Sequence, residues 1–101
     1  MESIRSTVLR TVAQAQIIAI LRGLQPGQCP AVARGLLNGG IRMIEITFDQ
    51  RHPETHSATA SAIEAIRTQL DGQVLVGAGT VTTPELVRLA FEAGAGYIIS
   101  P

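Results

Sequence analysis

Short runs of β-branched and aliphatic residues alternate in this chain with longer segments of helical period, and no other feature restricts its fold as much. QIIAILRG (16–23), RMIEITF (42–48), VLVGAGT (74–80) and YIIS (97–100) read as strands. A helix is expected over 28–38, ended through a left-handed C-cap by Gly39 and Gly40. The segment 53–70 places Ala58, Ala62, Ile63, Ala65, Ile66 and Leu70 on one helical face, with Asp71 and Gly72 as its stop. Thr83, Pro84 and Glu85 make a helix start, because threonine caps and proline suits the first helical position; Gly94 breaks that helix after Ala93. A leading helix over 3–14, with Ile4, Val8 and Val12 four apart, is expected to lie across one end of the sheet. Strand-plus-helix units recur about every 25 to 30 residues, the length a crossover needs, so the strands run parallel with right-handed connections. The fold class is α/β with a parallel sheet, whose strand order periodicity leaves open.

Composition bounds the partners. With 101 residues, 46% of them hydrophobic, the chain can bury one core and is read as a single unit over 1–101. Eight acidic and eight basic residues cancel, which leaves no electrostatic footprint for nucleic acid or an anionic membrane. The longest apolar run, 17–21, is far short of the roughly 20 residues that span a bilayer. A lone Cys29 cannot form an internal disulfide, and no basic stretch followed by a long apolar run opens the chain, so a cytoplasmic setting is expected. All eight basic residues are arginines; there is no lysine.

Inside the second strand sits a carboxylate, Glu45, between Ile44 and Ile46. Side chains alternate along a strand, so Met43, Glu45 and Thr47 share one face and Ile44, Ile46 and Phe48 the other, which must meet the helices. Glu45 then points into a barrel interior if the sheet closes, or toward a second helix layer if it stays open. Burial disfavours the charged form of an unpaired carboxylate, so such a group is retained where it is paired or where proton transfer needs it. Two readings stand: a general acid/base near the carboxyl end of the strand, or a structural ion pair with Arg22 at the carboxyl end of strand one.

That edge is where ligands bind in parallel α/β folds. Arg22 emerges there, in phase with Ile18 and Ile20, and Thr47 shares the face of Glu45. In strand three, Gly77, Ala78, Gly79 and Thr80 bring bare backbone and a hydroxyl to the same edge, as suits a small anion; close packing of strand on helix explains the glycines equally well. HPETH sets His52 and His56 four apart, but Pro53 replaces the acid a zinc-binding helix carries, so both imidazoles are read as solvated and no metal is expected. Cys29, with no base partner in view, reads as a small packed residue.

Together, IIAILRG, GGIRMIEITF, VLVGAGTVTTPEL and AGAGYIISP resemble, in order and spacing, the 2-keto-3-deoxy-6-phosphogluconate and 4-hydroxy-2-oxoglutarate aldolases. The IAILRG opening is most similar to the branch acting on 2-keto-3-deoxy-6-phosphogalactonate. The resemblance implies a (β/α)8 TIM barrel of which this chain holds the first four strands, a half barrel, since the whole fold takes at least ~200 residues. It implies a homo-oligomer without cofactor or metal, cleaving a 2-keto-3-deoxy sugar acid phosphate to pyruvate and an aldehyde through a Schiff base on lysine. Glu45 matches the family's proton-transferring glutamate, and Thr80 the threonine that contacts the pyruvate carboxylate. Arg22 matches an arginine of the LRG branch and would pair with a substrate carboxylate; Thr47 and Gly79 complete the expected substrate contacts. Asp49 stands where many relatives carry a substrate-binding arginine, and whether Arg22 or Arg51 offsets it is open. The family's lysine lies on strand six and its phosphate site near strands seven and eight. A lysine amine forms the iminium that serves as electron sink, so these residues alone are expected to be inactive, and a non-catalytic module that holds a small oxoacid is the alternative.

Overall fold

A computed structural model describes residues 3–15 and 17–101, with the side chains of 10–15 outside the description. Helix α1 spans Ile4–Ala15, β1 Ile18–Leu21, α2 Cys29–Asn38, β2 Met43–Thr47, α3 His56–Gln69, β3 Leu75–Gly79 and α4 Pro84–Ala93. The expected first strand began at residue 16, which lies outside the described residues.

The strands are parallel and ordered β1-β2-β3, each beside its predecessor. Beyond β3, the expected fourth strand makes one parallel bridge, Ala78 to Ile98. Backbone bonds from Ala78 N to Tyr97 O (3.0 Å), from Ile99 N to Ala78 O (2.9 Å) and from Val81 N to Ile99 O (3.2 Å) hold it in place. Consecutive neighbours with helices on one face describe an arc of a barrel, since a doubly wound sheet reverses its order and covers both faces.

The helix face of the sheet carries the core. Ile44, Ile46 and Phe48 of the second strand segment and Val76 and Ala78 of β3 pack with Cys29 and Ala33 of α2, Ala62, Ile63 and Ile66 of α3, and Leu86 and Ala90 of α4. This is the face alternation assigned. The expected 53–70 helix divides: Pro53–Thr55 is a 3-10 turn ahead of α3, and Ala58 is exposed while Ala62, Ile63 and Ile66 are buried. Gly39 caps α2 at φ −86°, and the left-handed residue is Gly40, at +95°. Helix α4 starts as expected, with Thr83 Oγ1 accepting from Leu86 N at 3.1 Å, and ends at Gly94, φ +89°. Helix α1 touches β2, yet its Ile4 is exposed, and the side chain of Val12 lies outside the described residues.

Candidate active site

On the opposite, inner face, register pairs Ile20 with Glu45 and Glu45 with Gly77; one rung nearer the carboxyl edge, Thr47 pairs with Gly79. Glu45 is 5% exposed although no helix of the core covers it. Its side chain does not rest on its register partner. A Cβ built at Gly79 would collide with Oε2 and Cδ of Glu45, so the carboxylate leans one rung toward the edge and across onto β3. There Thr47 Oγ1 donates to Oε2 at 2.6 Å. The bareness of Gly79 thus makes room for the carboxylate of the neighbouring strand, a use distinct from the strand-on-helix packing expected for it.

Gly77 has a parallel purpose. A Cβ there would strike the ring of Tyr97, which lies over it from the fourth strand segment and donates from its hydroxyl to Ile44 O at 2.7 Å. Burial, and then the charge of nearby Glu45, push the Tyr97 phenol well above its ordinary value. Sequence reasoning passed over Tyr97. The signal available was its phase: alternation puts Tyr97, in the segment next to β3, on the same face as two side-chain-free positions.

Thr80 is half-buried with φ +55°, a left-handed conformation that β-branched residues rarely adopt. Its hydroxyl makes no hydrogen bond among the described residues. Backbone strain of this kind gathers at ligand-binding edges. Arg22 follows β1 at the same edge and is exposed, with no hydrogen bond or ion pair to Glu45. The structural ion pair considered for Glu45 is therefore not formed.

Asp49 is answered by Arg51. The Arg51 backbone N–H donates to Oδ1 at 2.9 Å and its Nε lies 3.6 Å from the same oxygen. That backbone bond, together with the Arg51 charge, lowers the Asp49 carboxyl below its ordinary value. The two histidines part company. His52 is exposed, with Nδ1 3.0 Å from Glu54 Oε1. His56, expected in solvent, is half-buried instead: its Nε2 donates to Asp49 O at 2.9 Å and its ring meets Phe48 edge-on, centroids 5.4 Å apart. Cys29 is buried, and burial pushes its thiol up.

An arc of consecutive parallel strands with its chemically distinctive side chains toward the carboxyl edge is the arrangement of the (β/α)8 barrel enzymes. The chain belongs to the KDPG and KHG aldolase family, whose model matches residues 8–101. A 2-dehydro-3-deoxy-phosphogluconate aldolase of Treponema pallidum is 35% identical over 95 residues, covering 94% of this chain and 42% of the relative. A 2-dehydro-3-deoxy-6-phosphogalactonate aldolase of Escherichia coli K12 is 32% identical over 85 residues, covering 84% and 38%. Among solved structures, the Legionella pneumophila KDPG aldolase, with pyruvate captured as a covalent carbinolamine, superposes with a TM-score of 0.74 at 27% identity, over 90% of this chain and 41% of that one. The Zymomonas mobilis ZM4 aldolase, with 3-phosphoglycerate, gives 0.75 at 25% identity, over 98% and 43%. The chain spans less than half the length of these relatives, and it folds as part of their barrel.

Proposed function

We propose that the chain carries the proton-transferring part of a class I aldolase site, which cleaves a 2-keto-3-deoxy-6-phospho sugar acid to pyruvate and glyceraldehyde 3-phosphate. The observation that carries this reading is the Glu45 carboxylate, buried on the inner face, bound through one oxygen to Thr47 and leaning over Gly79 toward the carboxyl edge. In cleavage, Glu45 takes the proton from the substrate hydroxyl as the carbon–carbon bond breaks and its electrons pass to the iminium. It later returns a proton to the enamine carbon. Thr80, whose hydroxyl has no hydrogen-bond partner among the described residues, is suited to donate to the pyruvate carboxylate. Arg22, exposed at the same edge, has the planar fork that pairs with a carboxylate or phosphate.

The iminium amine is the missing part, since the chain has no lysine; in this reading it comes from outside residues 1–101. Incubation with pyruvate and borohydride, the amino terminus blocked, is expected to leave the mass of the chain unchanged, and a side-chain adduct would overturn that claim. Co-expression with the lysine-bearing remainder of a relative is expected to release pyruvate from the sugar acid phosphate. Glu45→Gln should lower that rate by about a hundredfold or more. Pyruvate release indifferent to Glu45→Gln would sink the assignment. Oxoacid binding without turnover in the assembled protein would favour the non-catalytic module, the reading that the lack of lysine supports.

A further inference from the structure

Resting on that reading for its chemistry, we propose that Thr47 and Gly79 are positioning residues: they hold Glu45 by one carboxylate oxygen and leave the other to exchange protons. The two oxygens of Glu45 are not equivalent. Oε2 accepts from Thr47 Oγ1 at 2.6 Å, and Oε1 has no partner among the described residues. No buried side-chain nitrogen or oxygen among those residues lacks a hydrogen bond, so Oε1 is not sealed in and keeps contact with solvent. One oxygen is anchored and the other is open.

The anchor is stiff for reasons internal to the fold. Thr47 is 9% exposed and β-branched on a strand, which restricts its side-chain torsion and hence the direction of its hydroxyl. Gly79 limits the carboxylate from the far side, because its bare Cα leaves a space that the carboxylate fills. The anchor also survives the chemistry. A carboxylate accepts the threonine proton at Oε2, and a carboxylic acid protonated on Oε1 still presents Oε2 as its carbonyl oxygen. Proton gain and loss at Oε1 therefore leave the group where it was, as a positioned acid/base requires. Thr47, expected to contact substrate, thus acts on Glu45 instead.

The test uses the 101-residue chain with glutamate labelled at the carboxyl carbon. In the unsubstituted protein, exchange of water for heavy water is expected to give the Glu45 carboxyl resonance a deuterium isotope shift from the Thr47 hydroxyl; no such shift would overturn the proposal without any variant. Thr47→Val should remove that shift and displace the resonance, Thr47→Ser should restore both, and Gly79→Ala should displace the resonance with the hydroxyl intact. A resonance unmoved in Thr47→Val, or moved as far in Thr47→Ser, would also overturn it. None of these readings needs turnover. A displaced carboxyl in a protein that never releases pyruvate removes the aldolase reading and keeps the positioning; an unmoved carboxyl in an active assembly removes the positioning alone.

Discussion

Tyr97 is the chain's one tyrosine, so its titration can be followed alone by near-ultraviolet absorbance. Burial and the Glu45 charge raise the phenol in the folded protein, while the unfolded chain titrates at about 10. A raised value means that the folded state keeps its proton longer. The associated stability is complete below the unfolded value and is lost as pH climbs through and beyond it. Urea midpoints are therefore expected to fall above about pH 10 in the native protein and to lose that fall in Tyr97→Phe. Tyr97→Phe should itself cost about 0.5–1.5 kcal/mol at neutral pH, the usual worth of the lost bond to Ile44 O. A phenol that titrates alike in folded and urea-unfolded protein would refute this. Glu45 could be read from the sequence because alternation alone turns it inward. What lies over a glycine depends on a strand 20 residues away for Gly77 and 34 for Gly79, so neither Tyr97 on Gly77 nor Glu45 on Gly79 was visible to a local pattern.

Elements were legible where one rule decides them. Helix α4 shows this: threonine, proline and glutamate open it, a left-handed glycine closes it, and the structure agrees at both ends. Thr83→Ala is expected to lower stability by about 1 kcal/mol in urea unfolding, with Thr83→Asp close to the parent, because the cap satisfies the Leu86 N–H. A parent-like midpoint for Thr83→Ala would show that water replaces the cap without loss. The region after β2 was harder, because several local interactions compete there. Pro53 opens a 3-10 turn, and the Asp49 carbonyl draws in His56, so α3 begins three residues later than its periodicity suggested. The fourth strand is a third case: its sequence is strand-like, and in the structure it is joined to β3 by a single bridge, Ala78 to Ile98, and three backbone hydrogen bonds.

At the scale of the whole molecule, exposed apolar residues lie on α1 and α4, Phe91 and Ile4 foremost, and also at both ends of the sheet. Ile18 and Ile20 lie on the inner face of β1 at one end of the sheet, Ile20 at 53% exposure, and Ile98 and Ile99 lie on the segment at the other end. Among the described residues, each end presents unpaired backbone groups beside apolar side chains, which is the condition for strand addition. The two ends are complementary, since all strands run one way and β1 of a second copy can pair with 97–99 of the first. An arc of four strands repeated about a two-fold axis closes at eight, the strand number of a (β/α)8 barrel. The chain is accordingly expected to sediment as an associated species, a dimer foremost, at micromolar concentration. Ile20→Lys should shift it toward monomer, because a charge on the inner face of an edge strand opposes pairing there. The helix face is untouched by that substitution, so its circular dichroism should match the parent. A well-folded parent that sediments as a monomer would show that these edges are tolerated in water, and the Glu45 face would then be open to solvent on one side.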